Sequence, residues 1–319
     1  MSQGCALCPR RCGALREELS GSGFCKQGTL PRLARCALHF DEEPPISGSR
    51  GSGAIFFSGC TLGCVYCQNY GISHGGFGKS VSAERLREIC FELIDQGAHN
   101  INLVSGTPFV PAIVRALQGG LPVPVVWNSS GYERVETLKM LEGIVDVYLP
   151  DFKYMDAALA GRLSSAPDYP EVAISAIEEM LRQTGRAVFG EDGCIRRGTI
   201  IRHLVLPNHL DNTKQVLRRI HWDFPEAYVS LMAQYVPMGK ACEYADIASP
   251  LSQGEYDEAA AYMEQLGIEN GFTQLLTAAD RHYTPAFDLT GVEASDAFNG
   301  KQAARQPGKD ISEGDRNLL

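Results

Sequence analysis

Cys60-Thr61-Leu62-Gly63-Cys64-Val65-Tyr66-Cys67 is the stretch from which both the fold and the chemistry of this 319-residue chain can be read. Its three cysteines, spaced C-x3-C-x2-C, follow the apolar run Ala54-Ile55-Phe56-Phe57, which reads as a short buried strand. Loops at the carboxyl ends of strands are where parallel α/β folds place their chemistry. Three thiolates suit a soft metal centre, and iron–sulfur clusters are held by cysteine thiolates. A four-iron cluster held by only three cysteines keeps one iron open to a chelating ligand. The alternative is a zinc site, which takes four ligands, with His74 near enough in sequence to be the fourth.

Composition narrows the class. Hydrophobic residues make up 44% and charged residues 21%, as in an ordinary globular chain with a large core. A net charge of -9 argues against binding nucleic acid. No apolar run approaches the ~18 residues of a membrane span, and the N-terminus lacks the apolar centre of a signal peptide. Eleven cysteines in such a chain suggest metal ligands and core thiols rather than disulfides. A reducing compartment, the cytoplasm, is therefore expected.

A second cysteine set, Cys5, Cys8, Cys12 and Cys25, opens the chain with the spacing C-x2-C-x3-C-x12-C. Residues 1–40 read as a small loop-rich module too short to bury an apolar core, held instead by zinc or by a second iron–sulfur cluster. Its Arg10, Arg11, Arg16, Lys26, Arg32 and Arg35 offer either a docking face for an acidic partner or a solvated surface. Residues 41–53, with Pro44 and Pro45, lead as a linker into the first strand. Strands follow at Ile101–Val104, Val123–Trp127, Ile144–Tyr148, Thr199–Leu206 and Tyr228–Met232. Helices lie between them near Ser82–Ile94, Pro111–Leu117, Glu133–Leu141, Glu171–Gln183 and Asn212–His221, and one more spans Gln253–Leu266. Asp192-Gly193 marks a hairpin turn. Six strands alternating with helices predict an α/β fold, a laterally open (β/α)6 partial barrel over residues 41–291. The polar tail, 292–319, is expected to be disordered.

The cysteine spacing, with Tyr66 as an aromatic before the last cysteine, resembles the cluster loop of the radical S-adenosylmethionine (AdoMet) enzymes. Gln68-Asn69 resembles the residue pair after that cysteine in the activating enzymes of pyruvate formate-lyase. Over most of the chain up to Gly291 the resemblance is to the PflX-type branch of activase-like proteins. It is carried by Cys-x-x-Cys-Pro-Arg-Arg-Cys-Gly from Cys5, Glu-Glu-Pro-Pro-Ile-Ser-Gly from Glu42, Arg-His-Leu-Val-Leu-Pro from Arg202 and Thr-Pro-Ala-Phe-Asp from Thr284. The resemblance implies a 4Fe–4S cluster on Cys60, Cys64 and Cys67, with AdoMet positioned by Tyr66, Ser105, Gly106, Asn128, Asp151 and Lys153; His203, from its place on the fifth strand, is expected to face the adenosine or the substrate. It implies reductive cleavage of AdoMet to a 5′-deoxyadenosyl radical, with electrons from a flavodoxin or ferredoxin type of donor. Lys153 would bind the AdoMet carboxylate.

Two departures stand out. Ser105-Gly106-Thr107-Pro108 lacks the glutamate of the family's Gly-Gly-Glu motif, so backbone carbonyls and the Ser105 and Thr107 hydroxyls would meet the amino group. Asn128 stands where the activases have an aspartate. Arg202, His203, Gln234 and Tyr235 are further candidates facing the interior. The expected hydrogen-atom donor is a backbone glycine of a glycyl-radical enzyme. A small molecule or peptide is the alternative substrate, and an electron-transfer protein without AdoMet chemistry is the alternative from another class.

Overall fold

The computed structural model describes residues 4–274 and 285–293. Among these residues ten strands run in chain order: β1 Arg32–His39, β2 Ser52–Phe57, β3 Lys79–Ser80, β4 Ile101–Val104, β5 Val125–Ser129, β6 Val147–Pro150, β7 Val188–Phe189, β8 Ile195–Leu204, β9 Tyr228–Met232 and β10 Gly271–Thr273. The α-helices are α1 Pro44–Ser47, α2 Tyr70–Ser73, α3 Ala83–Asp95, α4 Val110–Leu117, α5 Val135–Leu138, α6 Ala157–Ser164, α7 Tyr169–Thr184, α8 Leu210–Asp223 and α9 Gln253–Gln265.

Every residue of β2, β4, β5 and β6 is buried, the pattern of parallel strands covered on both faces. These strands continue through β8 and β9 to β10 in one parallel array, ordered β10-β9-β8-β6-β5-β4-β2. Antiparallel β1 then β3 extend the β2 edge, while β7 hairpins onto β8 through the expected Asp192-Gly193 turn. The terminal strands β3 and β10 do not pair, so the sheet is open, as expected of the partial barrel. No helix is long and apolar enough to cross a membrane among the described residues.

The expected six strands are all present, and β10 adds a seventh parallel one. Arg32–His39, read as part of the N-terminal module, is strand and belongs to this sheet. Helix α6, absent from the sequence reading, is started by Asp156, whose carboxylate accepts the Ala158 and Leu159 N–H groups at 2.8 and 3.1 Å. Residues 289 and 290 exchange backbone hydrogen bonds with β1, and Val292 is buried beside α3. The remainder of the expected tail, 294–319, lies outside the described residues.

Tyr169, at the start of α7, fixes the strand ends that carry the candidate site. It is fully buried, and its hydroxyl accepts the Lys153 N–H at 2.9 Å and shares its proton between the Ser130 and Asp151 carbonyls, both 2.8 Å away. Tyr169→Phe strands these groups without water. It is expected to lower the free energy of unfolding by ~1–3 kcal/mol in urea titrations, and an unchanged midpoint would show that the groups find other partners.

Candidate active site

The carboxyl ends of the parallel strands surround one cavity. The loop after β2 contributes Cys60, Cys64, Tyr66, Cys67, Gln68 and Asn69; the loop after β4 contributes Ser105; β5 ends in Asn128, Ser129 and Ser130. Asp151 and Lys153 follow β6, Arg202 and Leu204 come from β8, and Met232 and Gln234 from the end of β9. Residues read from six separate stretches of sequence thus converge on one volume.

The cysteine loop is shaped by Gly59 and Gly63, both with left-handed φ (80° and 71°). A Cβ on Gly63 would also come within 2.9 Å of the Phe24 ring. Each sulfur of the loop has a donor aimed at it: the Leu62 N–H at Cys60 (3.4 Å), the Ser164 hydroxyl at Cys64 (3.1 Å) and the Ser73 hydroxyl at Cys67 (3.4 Å). Burial raises the Cys64 thiol and pushes Cys67 up to about 12. The Tyr66 and Tyr154 hydroxyls lie 2.7 Å apart, and Tyr154 reaches Ser164 at 2.8 Å, so a buried chain runs from Tyr66 to the Cys64 sulfur.

These residues fit a four-iron cluster better than a single ion. Tetrahedral zinc with Zn–S of about 2.3 Å needs sulfurs about 3.8 Å apart. Among the described residues, His99, Asp192 and Cys194 form the one group of three ligand atoms within 4.8 Å of one another, so the three loop sulfurs do not all meet that closely. His74 is stacked on Tyr70 at 4.2 Å with Nδ1 held by Ser73 at 2.9 Å, and it joins no such group with the cysteines.

A charged network forms the rest of the lining. Arg202 reaches Asp151 (2.9 Å), Glu42 (3.1 Å) and the Asn128 carbonyl oxygen (2.6 Å), with Glu43 at 3.8 Å. Asn128 in turn donates to Glu42 at 3.0 Å, and Lys153 Nζ donates to Asp151 at 2.7 Å. Burial works against the charge on Asp151, but Arg202 and Lys153 outweigh it and hold the carboxyl below its usual range. For Lys153 burial is likewise outweighed, by Asp151 and Cys64, and the ammonium is retained. Burial pushes Glu43 up to about 7 despite Arg202. Ser105 sits at φ 63°, a left-handed strain that a non-glycine residue accepts at a functional turn.

Four expected positions are corrected. His203 does not line the cavity: its ring nitrogens bond the Phe152 carbonyl (2.7 Å) and Thr213 hydroxyl (3.0 Å), under α8, and burial lowers it to about 4. The Thr107 hydroxyl is spent on buried Glu133 at 2.6 Å, and Gly106 packs on Trp127 behind the lining. Tyr235 bonds the Ile247 carbonyl at 2.5 Å and props the edge of Tyr66. Glu42, Glu43, Ser73, Tyr154 and Ser164 were not singled out as site residues. Only Glu42 and Glu43 gave a local signal, an acidic pair beside Pro44-Pro45 in a linker.

The model of the Radical SAM superfamily matches residues 54–219. The uncharacterized protein MJ0674 of Methanocaldococcus jannaschii is 33% identical over 276 residues, covering 83% of this chain and 75% of that protein. A radical SAM methyltransferase from Sphaerobacter thermophilus aligns with TM-score 0.48 at 16% identity, over 70% of this chain and 66% of that one. A domain of a pyruvate-formate lyase-activating enzyme from Bacteroides vulgatus aligns with TM-score 0.37 at 14% identity, over 52% of this chain and 88% of that one. On the family match, which spans more than half of it, this chain belongs to the radical SAM superfamily, whose enzymes use a 4Fe–4S cluster and AdoMet.

Proposed function

We propose that this enzyme cleaves AdoMet reductively and delivers the radical to a backbone glycine of a partner protein, as an activase of glycyl-radical enzymes. The observation that carries the AdoMet half is the meeting of Cys60, Cys64, Cys67 and Lys153 in one cavity. When bound, the cluster supplies one electron to break the sulfonium–C5′ bond of AdoMet. The chain's own residues hold and orient: the three cysteines take the cluster, and Tyr66 walls it. Lys153 Nζ has three donors and uses one on Asp151, so it retains donors for the AdoMet carboxylate. Asn128 and Ser105 supply the polar lining around it. The partner and the electron donor, of flavodoxin or ferredoxin type, would share a reducing cytoplasm with it.

The activase reading rests on Cys67-Gln68-Asn69 and Asp151-Phe152-Lys153, whose Gln68, Asn69, Asp151 and Lys153 line the same cavity. A second reading, a small polar substrate, is favoured by Glu42 and Arg202, a charged pair on the lining that a neutral glycine loop does not need.

Cys60→Ala, Cys64→Ala and Cys67→Ala are each expected to abolish dithionite-driven AdoMet cleavage, and full turnover by any of them would remove the cluster assignment. Lys153→Ala should leave the cluster iron in place and raise the AdoMet dissociation constant roughly tenfold to 150-fold, the worth of one charged hydrogen bond; an unchanged constant would assign the carboxylate elsewhere. For the acceptor, the reduced enzyme and AdoMet are mixed with a glycyl-radical enzyme of the same organism carrying deuterated glycine. Deuterium in 5′-deoxyadenosine with a glycyl doublet in the electron paramagnetic resonance spectrum is the activase result. Silence with every such enzyme of the organism transfers the assignment to the small-molecule reading.

A further inference from the structure

The proposed reaction makes no use of Cys5, Cys8, Cys12 and Cys25, all of them free thiols. Two short turns bring them together. In one, the Arg11 N–H closes on the Cys8 carbonyl at 3.1 Å; in the other, the Lys26 N–H closes on the Gly23 carbonyl at 2.9 Å. Both closing residues are non-glycines with left-handed φ, 41° and 57°. The Arg16 guanidinium stands 3.8 Å from the Cys5 sulfur. Gly23 has no room for a side chain, since a Cβ there would lie 2.8 Å from the Cys12 sulfur.

Nothing apolar explains this arrangement. Cys8, Ala14 and Pro31 are the buried apolar side chains of the described segment before β1, whereas Leu15, Leu19 and Phe24 are exposed (69%, 63% and 43%). A loop-only segment that leaves its large apolar side chains in water needs a cross-link to hold one conformation.

We propose that Cys5, Cys8, Cys12 and Cys25 hold a second iron–sulfur cluster, docked against the first. The class follows from spacing. Among the described residues no three of these sulfurs lie within 4.8 Å of one another, wider than the about 3.8 Å of tetrahedral zinc and like the Cys60–Cys67 loop. Docking follows from Arg10, which stands in sequence between Cys8 and Cys12. Its guanidinium donates to the carbonyls of Thr61 (3.0 Å), Leu62 (2.9 Å), Ser164 (2.8 Å) and Ser165, and lies over the rings of Phe24 and Tyr132 at 4.1 and 5.2 Å. Leu62 and Ser164 are the residues that donate to the Cys60 and Cys64 sulfurs, so one side chain joins the two cysteine sets.

The test is iron and sulfide analysis of the full chain reconstituted anaerobically, which does not depend on AdoMet cleavage or on the acceptor. Wild type should carry about eight irons and eight sulfides, and the triple variant Cys60→Ala, Cys64→Ala, Cys67→Ala about four of each, with its own reduced paramagnetic signal. Wild type with about four irons, with or without one zinc, overturns the proposal whether or not the variant folds. So does an iron-free triple variant that unfolds cooperatively.

Discussion

Three cysteine sulfurs must be held at the dry edge of a parallel sheet, and the rest of the structure serves that constraint. Burial keeps Cys64 and Cys67 protonated when bare, so a metal centre there has to displace protons, and its affinity rises with pH. The donors on the sulfurs, from Leu62, Ser73 and Ser164, come from the loop itself, from α2 and from α6. Hydrogen bonds to sulfur are among the levers that set a cluster's potential. Two neighbouring segments and a helix 100 residues further on therefore act on one centre.

Opposite the thiols, Arg202 organises the charged lining. Its side chain is only 12% exposed and meets Asp151 and Glu42 there. Buried ion pairs are weak contributors to stability, because desolvation offsets most of the attraction. What the network supplies is placement: Asp151 cannot turn toward solvent without taking the carboxylate from Lys153, while Arg202 keeps Glu42. Lys153 is thereby held at the cavity with an ammonium whose remaining donors are free of the sheet.

The parallel strands were legible because burial on both faces leaves unbroken apolar runs such as Ala54–Phe57. Strand β1 was not, since its Arg32, Arg35 and His39 interrupt the pattern and suggested part of a basic module. Arg10 and Arg16 were read as surface for the same reason, yet both guanidiniums are spent on backbone carbonyls. Helix α6 was masked by Gly161 and by its short length, although Asp156 was a visible cap. The thiol loop, Asp151 and Lys153 were found through motif and strand-end position together. Glu42 and Arg202 meet only through tertiary contact across 160 residues, which no local pattern encodes. His203 was misjudged because strand alternation gives a side chain two faces, and this one points to α8 rather than the cavity.

The central claim is that the cluster at Cys60, Cys64 and Cys67 keeps an iron open for AdoMet. Electron–nuclear double resonance on the dithionite-reduced wild-type protein, with AdoMet labelled at its amino nitrogen and carboxylate oxygens, tests it most directly. The account predicts hyperfine coupling from both labels to the cluster spin. A reduced cluster whose spectrum shows neither coupling at saturating AdoMet would contradict it.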